Sequence, residues 1–230
     1  MRVLRHCAVI VACVAPAATL AEKDGSSSYV GRYNGSSFET AMGMEIRADG
    51  SFTWGISVGA YDARAKGSWE EERDGVITLT SDPVPVPPRF SWSGEATVPD
   101  GKLIRVVWHR NGEPFQYASV KLTCVNGARF SAQIPREGWS PPPGECDTPK
   151  TVQLFETIYD VTSKVYDLQS TFAVAPGATI RFQFHANDMG VLDFTGITGR
   201  LEDGILKLQH GRWPMELRKI TPRPDQRKAQ

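Results

Sequence analysis

Short runs in which apolar and polar residues alternate make up much of this chain. The clearest runs are residues 42–46, 52–56 and 180–184. A period of two places every second side chain on one face of an extended strand, so each run predicts a half-buried β-strand. Residues 76–80 and 103–108 are rich in β-branched side chains, which also favour strands. The pattern therefore predicts strands along most of the chain.

Asn-Gly and Asp-Gly pairs separate many of these runs. They occur at Asn34-Gly35, Asp49-Gly50, Asp74-Gly75, Asp100-Gly101, Asn111-Gly112, Asn126-Gly127 and Asp203-Gly204. Such pairs provide the positive φ angles of a type I′ turn at the least steric cost, so each pair predicts a hairpin. Because no strand–helix–strand pattern accompanies them, we expect an all-β fold. The expected architecture is an antiparallel meander barrel or sandwich with an inserted or tandem β-sandwich module.

A proline-rich segment, residues 82–89, interrupts the strand pattern. Prolines at this density favour polyproline II and do not fit a central strand, so the segment predicts a stiff connector. A PxxP ligand for a partner protein is the alternative interpretation. We expect residues 22–82 and 176–220 to form one barrel or sandwich, residues 90–175 an inserted sandwich, and residues 221–230 a disordered tail. Two tandem domains are the competing layout.

Residues 152–172 fit both strand and helix patterns. Their apolar positions have helical spacing, but their valine, isoleucine, threonine and tyrosine content favours strands. We expect strands here, with one short helix as the alternative.

The first 21 residues have the pattern of a secretory signal. Two arginines precede an apolar run of small residues, which ends in an alanine before Glu22. This pattern predicts cleavage after residue 21 and a periplasmic or secreted protein. Residues 10–13 also resemble a bacterial lipobox, so a lipid anchor at Cys13 is the minor alternative. No later apolar run is long enough to predict a transmembrane segment.

Two cysteines follow the signal, Cys124 and Cys146, and an even pair in an exported chain predicts a disulfide. The spacing shows no metal-ligand motif, so we expect no metal site and no cofactor. The sequence has 26 basic and 26 acidic residues, and loss of Arg2 and Arg5 with the signal leaves 24 basic residues. This charge balance provides no basic surface excess, so we expect no nucleic-acid partner.

Two segments resemble known families. Gly31-Arg32-Tyr33, Asp49-Gly50-Ser51-Phe52 and residues 67–79 make residues 29–81 similar to lipocalin-like small barrels of bacterial envelope proteins. Residues 102–134, with Asn111-Gly112-Glu113-Pro114-Phe115 between two strands, resemble carboxypeptidase-regulatory or transthyretin-like modules. That resemblance implies a non-catalytic β-sandwich that supports a fold or contacts a partner. The whole chain also resembles β-rich exported bacterial proteins, and this resemblance does not point to any particular activity.

The motif Gly55-Ile56-Ser57-Val58-Gly59 matches the G-x-S-x-G pattern of serine hydrolases. Asp188 or Asp193, followed by His210, completes the hydrolase order of serine, acid and histidine, with His185 as another candidate base. However, the nucleophile elbow requires a strand that turns sharply into a helix, and no helical pattern follows Ser57. A β-bulge flanked by glycines is the alternative interpretation.

Seven residues are candidates for binding a ligand. Exposed aromatic rings in loops stack on sugars or anchor partners, and a polar cluster after a strand suits a polar ligand. The candidates are Trp92, Trp139, Trp213, His185, Asn187, Asp188 and Asp193. We expect an exported, non-catalytic envelope protein with a structural role or a role in binding a small apolar ligand, a glycan or an envelope protein. A secreted serine hydrolase that uses Ser57 is the alternative function.

Overall fold

The computed structural model describes residues 27–97, 101–169, 178–210 and 213–221, without the side chains of residues 94–97, 210 and 213. Within these ranges every helix or strand is a β-strand, so the predicted all-β class is confirmed. The strands are β1 (Gly31–Asn34), β2 (Thr40–Ile46), β3 (Ser51–Val58), β4 (Tyr61–Glu71), β5 (Ile77–Ser81), β6 (Arg89–Thr97), β7 (Ile104–Trp108), β8 (Ala118–Cys124), β9 (Arg129–Gln133), β10 (Pro149–Glu156), β11 (Val161–Thr162), β12 (Tyr166–Asp167), β13 (Thr179–His185), β14 (Ile197–Glu202), β15 (Ile205–His210) and β16 (Trp213–Lys219).

Eight strands close into an antiparallel barrel with the order β1-β16-β15-β14-β5-β4-β3-β2. Strands β1 to β5 form the predicted meander. Two long-range pairings close the ring: Leu79 lies opposite Ile197, and Tyr33 lies opposite Lys219. Closure pairs the strand edges that an open sheet would expose. The eight-stranded barrel is compatible with a lipocalin-like fold.

Apolar side chains from the alternating positions fill the barrel interior. Phe52 and Trp54 point inward from β3, and Leu206 and Leu208 point inward from β15. Phe194 enters from the segment between β13 and β14 and is fully buried. Its ring centroid lies 5.8 Å from that of Phe52 and 5.1 Å from that of Trp54. The segment before β14 is therefore part of the barrel core.

The remaining strands form two further sheets that share a second apolar core, and we call these two sheets the two-sheet unit. One sheet has the order β11-β10-β8-β9, with β12 also paired to β10, and the other has the order β6-β13-β7. Phe182 and Phe184 of β13 belong to the same buried cluster as Val120 of β8 and Leu154 of β10. Strand β13 is antiparallel to β6 and parallel to β7.

The predicted disulfide joins Cys124, at the end of β8, to Cys146 in the loop before β10, with the two Cα atoms 5.6 Å apart. Residues 152–169 lie on strands β10 to β12 and their connections, so the strand prediction is confirmed there and the helix alternative is wrong. Residues 170–172 lie outside the described ranges.

The turns differ from the type I′ prediction at most positions. Of the described Asn-Gly and Asp-Gly pairs, only Asp203-Gly204 has a positive φ at both residues. At Asp49, Asn111 and Asn126 the side chain accepts a hydrogen bond from the backbone N–H two residues later. This Asx geometry keeps φ negative at the Asn or Asp, and only the following glycine adopts the left-handed conformation.

The expected signal at residues 1–21, the lipid-anchor alternative at Cys13 and the tail from residue 222 lie outside the described ranges. None of the described elements is an apolar helix of membrane-spanning length. The boundaries proposed for the domains stay a prediction.

Candidate functional site

A groove runs along the outer wall of the barrel where the proline-rich connector crosses β3 and β4. We call it the wall groove. Ala63 and Ala65 are buried in the barrel, so Arg64 between them and Lys66 after them project outward, as does Thr53 on the neighbouring strand. The cavity measures about 540 Å³. Its lining residues are Thr53, Trp54, Arg64, Ala65, Lys66, Pro83, Pro85, Asp188 and Val191.

Two of the predicted ligand-binding residues hold the outer wall of this groove in place. Asn187 donates a side-chain hydrogen bond to the carbonyl of Pro87 at 2.8 Å. Asp188 accepts one from the backbone N–H of Val86 at 2.8 Å, and its own N–H donates to the Val86 carbonyl at 3.1 Å. Asn187 has a φ of 43°, a left-handed conformation that Asn tolerates better than most residues. These bonds fasten the connector to the loop after β13.

The loop after β13 also pairs with the barrel itself. The N–H of Arg64 donates to the carbonyl of Gly190 at 2.8 Å, and the N–H of Leu192 donates to the carbonyl of Arg64 at 2.9 Å. Strand β5 pairs with β4 only from Gly67 onward, so residues 190–192 occupy the position that β5 leaves open beside Arg64. The floor and both sides of the groove are thus fixed by hydrogen bonds, from the backbone alone on the barrel side and from the side chains of Asn187 and Asp188 as well on the connector side.

The wall groove combines apolar surface with two cationic side chains. Pro83, Pro85 and Val191 provide the apolar part, and Arg64 and Lys66 are exposed. In the part of the chain that the structure describes, neither cation has a salt bridge. Asp188 is the acidic residue of the lining, and its carboxylate already accepts the Val86 bond. The groove therefore favours a ligand with an acidic group and an apolar body.

His185 and Asp193, two further candidates, lie away from the groove lining. His185 is the last residue of β13, and its Nε2 lies 2.7 Å from the Ser91 hydroxyl. Burial lowers the pKa of His185, and the neighbouring His109 and Arg89 lower it further. Asp193 accepts the backbone N–H of Thr195 at 2.9 Å, and its hydrogen bonds with Thr195 hold its pKa below the usual range. Asp193 thus stabilises the turn that precedes β14.

The three candidate tryptophans lie on separate elements. Trp139 packs against the core of the two-sheet unit, with its ring centroid 6.2 Å from that of Phe130. Trp92 lies on β6 opposite Phe182 and is 36% exposed. Trp213 begins β16 of the barrel, and its side chain lies outside the described part. The described positions do not form a common aromatic surface.

Ser57 lies within β3, opposite Ala41 on one side and Asp62 on the other. The strand continues to Val58, and a short turn at residues 59–60 leads into β4. Gly59 has a φ of 56°, which fits the hairpin turn. The motif thus sits in a β-hairpin, and the side chain of His210 is not described.

Sequence reasoning did not single out Arg64 and Lys66. Both are ordinary outward positions of an alternating strand, and the local sequence contains no sign that a connector crosses them.

Within the described residues no group of three or more His, Cys, Asp or Glu side chains is arranged to hold a metal ion. Comparison with protein-family models, with curated proteins and with solved structures finds no match to this chain.

Proposed function

We propose that this chain is an exported, non-catalytic binding protein that holds a small ligand with an acidic group and an apolar body in the wall groove. The observation that carries the proposal is a cavity of about 540 Å³ in which Arg64 and Lys66 lie beside proline and valine side chains and form no salt bridge with any described residue. Ligand sites are typically cavities of about 300–1,000 Å³, mostly apolar, with a few polar groups that fix orientation.

The groove is preformed, which favours binding. Its outer wall is held by the Asn187 and Asp188 hydrogen bonds, and its floor is part of a closed barrel. A site that is already ordered loses little conformational entropy when a ligand enters. A carboxylate ligand would receive charge-assisted hydrogen bonds from Arg64 and Lys66, which are stronger than bonds between neutral groups.

Export is supported by the Cys124–Cys146 disulfide, because disulfides persist in oxidising compartments. A periplasmic extract of a bacterial host that expresses the full sequence would contain a chain that begins at Glu22. A chain that stays in the cytoplasm with its first 21 residues attached would contradict export. A chain cleaved before Cys13 and lipidated would support the anchored form.

The ligand proposal is tested by tryptophan fluorescence, since Trp54 lines the groove. The mature protein is titrated with dodecanoate and with dodecanol, which share the apolar body and differ in the acidic group. We expect dodecanoate to bind and dodecanol to bind more weakly. Lys66→Gln and Arg64→Gln should each weaken dodecanoate by about tenfold, because a hydrogen bond to a charged group contributes about 1.5–3 kcal/mol.

The matched control is Lys150→Gln, which removes an exposed lysine from β10 of the two-sheet unit. It should bind dodecanoate like the parent protein. Equal affinities in the parent, Lys66→Gln and Arg64→Gln would refute the assignment of the groove. A fluorophosphonate probe that labels the parent but not Ser57→Ala would instead support the hydrolase alternative.

A further inference from the structure

A second cavity adjoins the wall groove on the outer face of β3 and β4, and we call it the polar cavity. It measures about 330 Å³, within the range of about 300–1,000 Å³ that is typical of ligand sites. Among its described lining residues the one large apolar side chain is Phe52, which points into the barrel. Its polar lining includes Arg47, Asp49, Ser51, Lys66, Ser68 and Asp82.

The polar cavity and the wall groove meet at Lys66. On the barrel side Lys66 of β4 and Thr53 of β3, which lie opposite each other, line both cavities. On the connector side Asp82 lines the polar cavity, and the next residue, Pro83, lines the wall groove. The N–H of Asp82 donates to the Lys66 carbonyl at 3.2 Å, which fixes the start of the connector beside this junction. A ligand in the wall groove therefore reaches the polar cavity past Lys66.

Part of the polar cavity is fixed by hydrogen bonds among its own side chains. Arg47 donates to the hydroxyl groups of Ser51 and Thr53, each at 3.4 Å. Ser51 in turn donates to the Asp49 carboxylate at 2.6 Å. Because these side chains are already held by one another, the cavity loses little conformational entropy when a ligand enters.

Three exposed side chains of the polar cavity are available to a ligand, those of Lys66, Ser68 and Asp82. None of the three forms a side-chain hydrogen bond or a salt bridge within the described part of the chain. Ser68 lies two residues after Lys66 on the same face of β4, about 7 Å away at 3.3 Å per residue. An ammonium group only donates, a carboxylate only accepts, and a hydroxyl does both. The set therefore matches a ligand that has an acidic group for Lys66 and hydroxyl groups for Asp82 and Ser68.

We propose that the ligand of the wall groove is a sugar acid joined to an apolar chain. This inference rests on the function proposed above and adds the polar cavity as the site of the sugar ring. The chain lies on the apolar side of the wall groove, the carboxylate lies at Lys66, and the ring hydroxyls lie at Ser68 and Asp82. A headgroup that ends in an ammonium would suit Asp82, but Lys66 lines the same cavity and its like charge would repel that group.

The test is calorimetric titration of the mature protein with dodecyl glucuronide, dodecyl glucoside and dodecanoate, each below the concentration at which it forms micelles. The glucuronide carries the chain, the sugar ring and the acidic group. The glucoside lacks the acidic group, and dodecanoate lacks the ring. We expect the glucuronide to bind about tenfold more tightly than either of the other two, because each lacks hydrogen bonds that the glucuronide makes.

Two variants test the position of the sugar ring. Asp82→Ala should weaken the glucuronide about tenfold and Ser68→Ala about threefold, because a hydrogen bond to a charged group is the stronger of the two. Both variants should bind dodecanoate like the parent, which also shows that the wall groove is intact. The matched control is Asp62→Ala, which removes an exposed carboxylate of β4 outside both linings and should bind both ligands like the parent.

The outcomes separate this inference from the function on which it rests. If Lys66→Gln weakens dodecanoate but the glucuronide binds no more tightly than dodecanoate, the wall groove stands and the sugar site is refuted. The same conclusion follows if Asp82→Ala leaves the affinity for the glucuronide unchanged. If Lys66→Gln weakens neither ligand, both proposals are refuted. Tighter binding of dodecylphosphocholine than of the glucuronide would overturn the sugar assignment in favour of a headgroup with an ammonium.

Discussion

Phe194 provides a sharp test of how the barrel core is built. The substitution Phe194→Ala removes a fully buried ring that contacts Phe52 and Trp54. A buried phenylalanine covers at least about 150 Å², which at about 25 cal/mol per Å² corresponds to about 4 kcal/mol. Loss of the two aromatic contacts adds about 0.5–1.5 kcal/mol each to the cost of the substitution. Partial collapse of the surrounding residues into the cavity lowers this cost. We therefore expect the free energy of unfolding to fall by about 3–5 kcal/mol.

The assay is urea unfolding followed by tryptophan fluorescence and near-ultraviolet circular dichroism. The matched control is Phe38→Ala, which makes the same substitution in the turn between β1 and β2, where the side chain is 89% exposed. It should change the free energy of unfolding by less than about 0.5 kcal/mol. A loss below about 1 kcal/mol for Phe194→Ala would refute the view that this residue completes the barrel interior.

Two further predictions concern the disulfide and a buried phenol. Replacing Cys124 and Cys146 with serine should lower the free energy of unfolding by about 3 kcal/mol, because the bond closes a loop with a sequence separation of 22. Thermal unfolding measures this, and a reductant should destabilise the parent but not the variant. Burial and Tyr29 raise the pKa of Tyr33 to about 12. The unfolded chain releases this proton near pH 10, so stability is full below about pH 10 and falls as pH rises towards 12. Urea midpoints should show this decline in the parent but a weaker one in Tyr33→Phe, and equal slopes would contradict the assignment.

Alternation and glycine turns were sufficient to predict the fold class and many of the strands, although β6 was not among them. Residues 42–46 and 52–56 pair in the expected hairpin, because a period of two fixes which face of each strand is buried. The turn type was not predictable from the dipeptides alone. Asp49 and Asn126 use their side chains to accept backbone N–H groups, a local competition that the Asn-Gly and Asp-Gly rule does not include.

The candidate site was much less accessible to sequence reasoning. Asp188 was singled out from its loop-like neighbourhood, and it does line the wall groove. The groove itself depends on the connector lying over β3 and β4, and the bond that holds it there joins Val86 and Asp188, which are 102 positions apart. The stacking of His109 on His185 likewise depends on the parallel pairing of β7 and β13, which no local pattern encodes.

The two seams of the barrel join segments that lie far apart in the chain. Ser81 and Thr195, beside one seam, are hydrogen-bonded across 114 positions, and the other seam joins β1 to β16. During synthesis the first five strands can therefore form only an open sheet until the last three strands of the barrel have been made. Contacts of such long separation form slowly. If the chain is exported, this slow closure keeps it unfolded enough for translocation, because the barrel cannot close until its last strand has crossed the membrane.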